Sequence, residues 1–348
     1  MPSMLDIPAD LSPLQDHLAG SLSLVERRVA DALRSDLPAV HSLCRHVARY
    51  HGKMIRPALT ILSALAAGQA AQPHASVATD PHTPTPDPIL VVATVCEMVH
   101  LATLVHDDVL DTADTRRGQG TINALHGNEA AVILGDYLFS AAFHLCSSLG
   151  DKDTSQSIAS VGMTLCAGEL LQNAHRHDLS LDEATYFGIV ERKTASLIAA
   201  ACRLGAKHAG APANLVAALE RFGLRLGVAF QIQDDLLDLT GDQRVVGKSL
   251  LKDLEKGKLT LPMIHHLTTA DAVQRGRTLL LLEDAADRAS DTAEALRRAL
   301  ESTRSIAHAR TVAETLVREA REALGQCPPS PARRMMELMA DAVVTRAF

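Results

Sequence analysis

The chain has 348 residues, 47% hydrophobic and 22% charged, a globular composition that excludes a mainly disordered protein. Lys and Arg number 34 against 41 Asp and Glu, a formal net charge of −7, so no overall basic field draws it to nucleic acid and any polyanionic ligand must be gripped locally. With six Phe, three Tyr and no Trp, base-stacking platforms are lacking and the core falls to Leu, Val, Ile and Ala, which favours helices.

In chain order, Met1 to Asp16 carries Asp6, Asp10 and Asp16 and no apolar run of signal-peptide character, so no export is expected. Leu22, Val25, Val29 and Leu33 begin a helical periodicity that continues almost throughout, for instance at Leu215, Leu219, Phe222 and Leu226. The uncharged stretch after Arg56 is apolar only from Ala58 to Ala67, too short to span a bilayer, and no transmembrane segment is expected. The Pro-rich stretch 73–88 reads as a surface loop, because proline lacks the amide and restricts its predecessor. Ser180-Leu181-Asp182-Glu183 has the capping-box pattern and predicts a helix running past Glu191. Thr240 to Lys258, with Gly241, Gly247, Gly257, Lys248, Lys252, Lys256 and Lys258, predicts a mobile basic loop. The six cysteines lie apart with no Cys-x-x-Cys, which indicates a reducing, cytoplasmic setting. The apolar pattern resumes unchanged after each break. The expected fold is therefore a single all-α domain over 1–348, a helical bundle of about a dozen helices.

The strongest chemical feature is an acidic pattern that occurs twice, Asp107-Asp108-Val109-Leu110-Asp111 and Asp234-Asp235-Leu236-Leu237-Asp238. On a helix the first and last Asp of each lie about 40° apart in projection, so their carboxylates point together. One such cluster is usually a solvated face. Two, each following an apolar stretch, call for a neutralising cation, and oxygen-only ligands select a hard ion such as Mg²⁺ that completes its shell with water and phosphate oxygens. Basic residues for the phosphate are at hand. Lys53 and Arg56 precede and enter a helix that Pro57 suits, and Arg116 and Arg117 follow the first acidic cluster. His100 falls on the face of Asp107, Gln231 on the face of Asp234, and Lys193 with Thr194 adds a cation and a hydroxyl. The ordinary reading of Lys193 is a surface ion pair with Glu191 or Asp182.

These residues together resemble the trans-polyprenyl diphosphate synthases. The match runs through Gly52-Lys53-Met54-Ile55-Arg56-Pro57, His100, His106 to Asp111, Arg116-Arg117-Gly118, Gly135-Asp136, Lys193-Thr194, Phe230-Gln231, the second acidic motif, Gly247-Lys248, and Lys258 to Pro262, covering about positions 50 to 265 in family order. The resemblance implies antiparallel helices around a deep central cavity, with the two acidic motifs facing each other at its mouth. It implies that Asp107, Asp111 and Asp234 hold about three Mg²⁺ on an allylic diphosphate, supported by Asp108, Asp235 and Asp238. Arg116, Lys193 and Lys258 would hold that diphosphate directly; Lys53, Arg56, His100 and Arg117 would hold isopentenyl diphosphate, and Lys248 would cover the closed site. Thr194 and Gln231 would face the allylic cation. The implied activity is Mg²⁺-dependent head-to-tail condensation of the two diphosphates to an all-trans polyprenyl diphosphate.

By the same resemblance the growing chain descends along the helix of Asp107, where Ala102 and Thr103 stand in place of bulky aromatics. Small side chains there imply a long-chain product of the kind that forms quinone side chains; a plug from Leu138 or Phe139 would give a short-chain one. A homodimer, with peripheral membrane contact for product release, is implied by analogy. The loop after Lys248 departs from the family pattern, having Ser249-Leu250-Leu251 where Pro and a further Gly are common. A class I terpene cyclase would lack the second acidic motif and would line its cavity with aromatics. A His-Asp phosphohydrolase would need further spaced histidines, and a noncatalytic subunit would have lost its acidic clusters.

Overall fold

A computed structural model describes residues 8–50, 52–71, 87–240, 251–283 and 289–345. Most of the Pro-rich stretch and the segment 241–250, with Gly241, Gly247 and Lys248, lie outside the described residues.

The described chain is all-α apart from one small hairpin. Its helices are α1 (Ser12–Ala32), α2 (Pro38–Val47), α3 (Ile55–Ala71), α4 (Pro88–Leu110), α5 (Ile122–His126), α6 (Asn128–Ser147), α7 (Lys152–Ala174) and α8 (Glu183–Val190). Then follow a π turn (Glu191–Ala195), α9 (Ser196–His208), α10 (Ala213–Thr240), the single turn α11 (Lys252–Glu255), α12 (Leu261–Thr269), α13 (Ala272–Glu283), α14 (Ala289–Ser302), α15 (Ser305–Leu324) and α16 (Pro331–Thr345). Several are shorter than the periodicity suggests, so they outnumber the expected dozen.

The chain forms two compact units. The first comprises residues 1–163, 197–223 and 324–338. Its centre is α4, which packs against α1, α3 and α6. α4 starts where Asp87 accepts the backbone N–H of Ile89 at 2.8 Å, with Pro88 in the first turn. It is apolar all round because it is buried all round, from Ile89 to Val99 without interruption. By length and composition α4 and α6 are both apolar enough to cross a membrane, although each carries charged residues. For α4 the burial explains it: 83% of its most apolar window is covered inside the protein. For α6 only 33% of that window is covered, and Val132, Ile133, Tyr137 and Phe143 form an exposed stripe at helical spacing.

After α4 the chain makes a hairpin, β1 (Thr115–Arg116) with β2 (Gln119–Gly120), paired antiparallel. Its two central residues, Arg117 at φ 52° and Gly118 at φ 77°, are both left-handed, the requirement of the tight turn that matches strand twist. Two-residue strands are too short to show alternation in the sequence. Tyr50 Oη and His46 Nε2 fix the hairpin, contacting the Gly120 carbonyl at 3.4 and 2.8 Å.

The second unit comprises residues 164–196, 224–323 and 339–348. Here α8 packs on α12, and α12 and α13 each pack on α14. The predicted helix start is displaced by two residues: Asp182, not Ser180, caps α8, accepting the Thr185 N–H at 2.7 Å. Ser180 instead donates its hydroxyl to Asp178. The helix does continue past Glu191, through the π turn.

Candidate active site

In the first unit, Asp107 and Asp111 stand in the last turn of α4 and its cap, where the Asp111 N–H donates to the Asp107 carbonyl at 2.8 Å. A helix C-terminus is the negative end of the macrodipole, so carboxylates there are disfavoured by about 0.3–1 kcal/mol each until a cation arrives. Asp108 is set apart from them. It is 1% exposed, and Arg116 grips it with Nε at 2.8 and 3.0 Å and Nη2 at 2.7 Å. Arg116, expected on the diphosphate, is thus engaged in bracing the acidic cluster from the hairpin.

Close to this end of α4 lies a cationic group. Arg117 donates Nη1 to the Tyr50 carbonyl. Burial, then repulsion from Arg56, Arg117 and Arg116, holds the His100 imidazole well below its usual range. Arg56 has a buried Nε without a hydrogen-bond partner. The carboxyl of Glu97, 4% exposed, is pushed up by burial and held down by Arg56 and Arg117. With Arg116 committed to Asp108 and the imidazole neutral, the Arg56 and Arg117 guanidiniums against the one Glu97 carboxyl leave a net positive cluster with an unsatisfied donor, a fit for a phosphate group. Lys53 is exposed at the entry to α3. Ala102 is buried, and Thr103 turns its hydroxyl back to the His100 carbonyl at 2.8 Å.

The second unit holds a cleft of about 630 Å³, measured out to its open mouth, that brings together Lys193, Thr194, Gln231, Asp235 and Lys258. A chain of hydrogen bonds crosses it. Thr194 Oγ1 donates to Gln231 Oε1 at 3.0 Å, Gln231 Nε2 to Asp235 Oδ1 at 2.8 Å, and Tyr186 Oη to Asp235 Oδ2 at 2.6 Å. Asp235 is therefore buried with both oxygens satisfied, and burial followed by the nearby Asp253 pushes its carboxyl well up. Asp234 is exposed on the same turn. Asp238 accepts the backbone N–H groups of Lys252 and Asp253, both at 3.3 Å, and its carboxyl is pushed up to about 6, by burial first and Asp253 second. Asp238 so ties the end of α10 to the segment that leads to Lys258.

The Lys193 Nζ donates to Gln172 Oε1 at 2.9 Å and pairs with Glu169, both on α7. The π turn is what aims it. One extra residue in the turn rotates Lys193 and Thr194 relative to a regular helix, and Gly168 on α7 lets the turn approach closely. A Cβ at Gly168 would lie 2.8 Å from both the Arg192 Cβ and the Lys193 nitrogen.

The two acidic clusters share one plan. Their second carboxylates, Asp108 and Asp235, are buried and bonded within the protein; Asp107, Asp111 and Asp234 are more accessible. Among the described residues no group of three or more His, Cys, Asp or Glu side chains could by itself hold a metal ion. The accessible carboxylates Asp107 and Asp111 suit Mg²⁺, which takes one or two carboxylates and completes its shell with water and phosphate oxygens. Tyr186, Glu169, Gln172 and Glu97 were missed by sequence reasoning. The only signal was the pair Glu169 and Gln172, polar residues three apart and thus on one helix face.

A polyprenyl synthetase family model matches residues 38–300, and the chain belongs to that family of prenyltransferases. It is 33% identical over 273 residues to octaprenyl diphosphate synthase of Escherichia coli, covering 78% of this chain and 80% of the relative. The crystal structure of a decaprenyl diphosphate synthase from Rhodobacter capsulatus superposes with a TM-score of 0.84 at 30% identity, over 97% of this chain and 99% of that one. A polyprenyl synthase from Caulobacter crescentus, solved with calcium and isoprenyl diphosphate, gives 0.83 at 29% identity over 96% and 98% of the chains.

Replacing Gly168→Val forces α7 away from the π turn. The expected result is a loss of prenyl transfer of at least about tenfold and a stability loss of about 1–3 kcal/mol, with unfolding still cooperative. Wild-type turnover and melting in this variant would show that the close approach does not position Lys193.

Proposed function

We propose that the protein condenses isopentenyl diphosphate with an allylic diphosphate, head to tail, to give an all-trans long-chain polyprenyl diphosphate. The observation that carries this reading is the second-unit cleft, where Lys193, Thr194, Gln231, Asp235 and Lys258 converge in a chain of the polyprenyl synthetase family. Mg²⁺, about three ions per site, would be held by Asp107, Asp111 and Asp234 and would neutralise the leaving diphosphate.

The protein groups act where charge develops. Lys193 and Lys258 stabilise the diphosphate as the allylic C–O bond breaks, and the oxygens of Thr194 and Gln231 stabilise the allylic cation. Arg56, Arg117, His100 and Lys53 hold isopentenyl diphosphate so that its alkene attacks that cation. The departing diphosphate takes the proton lost on forming the new double bond, leaving the chain one isoprene unit longer. No protein base is needed. Asp108, Asp235 and Asp238 act by fixing their neighbours, and Arg116 acts through Asp108. Lys248, outside the described residues, would close over the bound diphosphate and keep water from the cation.

Small residues at Ala102 and Thr103 support a long product, and six scattered cysteines with no Cys-x-x-Cys accord with a cytoplasmic setting. The exposed apolar stripe of α6 supports a homodimer formed through that face.

Three measurements test this. Purified protein with Mg²⁺, labelled isopentenyl diphosphate and a series of allylic primers should give long polyprenyl diphosphates by mass; no elongation from any primer refutes the reading. Ala102→Phe should shorten the product, and an unaltered length distribution would place the tunnel floor elsewhere. Ile133→Asp should convert the dimer to a monomer in sedimentation velocity; an unchanged sedimentation coefficient would remove α6 from the interface.

A further inference from the structure

Among the cleft-lining residues of the second unit that the proposed chemistry leaves unused is an imidazole, His175. It follows the last turn of α7, one turn beyond Gln172, which bonds Lys193. Its Nδ1 lies 2.7 Å from Asp178 Oδ2. Asp178 is itself held: the Ser180 N–H donates to its Oδ1 at 2.9 Å and the Ser180 hydroxyl to the same oxygen at 2.5 Å. These bonds, the Ser180 hydroxyl foremost and then His175, hold the Asp178 carboxyl down to about 2. Ser180, which looks like a helix cap in the sequence, thus belongs to a built support for an imidazole.

A carboxylate on Nδ1 makes that nitrogen the proton carrier and orients the ring, leaving Nε2 for whatever occupies the cleft. Among the described residues Nε2 has no hydrogen-bond partner. The charged groups around the ring are Asp178 and Asp182 from its own turn, and Lys193, Lys258, Asp235 and Asp253 across the cleft. Lys193 already shares its charge with Glu169. A multiply charged diphosphate entering this cleft therefore has negative charge that a further hydrogen-bond donor can answer.

We propose that His175 is a further substrate-binding residue, whose Nε2 side, opposite the Asp178 bond, hydrogen-bonds a diphosphate oxygen in the cleft. This rests on the reading of that cleft as a diphosphate site.

The test is calorimetric titration of the full-length protein with inorganic pyrophosphate and Mg²⁺. His175→Asn keeps a donor for Asp178 and removes Nε2; His175→Gln places an amide near Nε2 and gives up the Asp178 bond. The expected result is affinity weakened about tenfold in His175→Asn and less in His175→Gln. Wild-type affinity in His175→Asn, or a greater loss in His175→Gln, overturns the proposal, the latter being the pattern of a residue that only braces the Asp178 turn. Lys193→Ala separates the two levels. If it weakens pyrophosphate while His175→Asn does not, only the His175 assignment fails; if it changes nothing, the diphosphate reading of the cleft falls and the assignment with it.

Discussion

Each acidic cluster sits at the C-terminal end of a long helix, α4 or α10, where backbone carbonyls already make the potential negative. Placing three carboxylates there opposes the normal preference for basic residues in a last turn. The protein resolves part of the conflict itself. Arg116 neutralises Asp108, Tyr186 and Gln231 satisfy Asp235, and two backbone amides take Asp238. Asp107, Asp111 and Asp234 are the more accessible carboxylates, oxygen donors of the kind hard cations prefer. In either cluster a loose second carboxylate, Asp108 or Asp235, would compete with its accessible neighbours for such an ion.

The basic groups show a complementary constraint. Arg56 and His100 are held in a buried cationic cluster that Glu97 only partly offsets, and burial, then repulsion from the arginines, disfavours the charged imidazole. Such a cluster is unfavourable without an anion. In the second unit the same logic appears with a lysine, which Glu169 and Gln172 hold in place. The π turn is part of that arrangement, because a regular helix would carry Lys193 round to a different face. Irregular helical hydrogen bonding is tolerated here because Gly168 lets α7 close against the turn.

The acidic pairs, Arg56, His100, Lys193, Thr194 and Gln231 were legible in the sequence because each belongs to a short motif with a helical spacing. Their partners were not. Tyr186 reaches Asp235 across 49 positions and Arg117 reaches Tyr50 across 67, and a lone residue at such a distance leaves no periodic trace. Ser180 was misread for a different reason. Ser180 and Asp182 are both good helix caps, and the choice between them was made by Asp178, which offers the Ser180 hydroxyl a charged acceptor. The hairpin after α4 was missed because two-residue strands are too short to alternate.

The amino-acid sequence by itself determined the helical class, the two acidic turns and the oxygen chemistry they impose, since these depend on residue type and on spacings within a few turns. Tertiary structure decided which carboxylate of each cluster is sealed and which is accessible, where Lys193 points, and that Ser180 and Asp178 support an imidazole. Those outcomes are set by burial and by contacts between segments distant in the chain, and neither is a property of any local stretch.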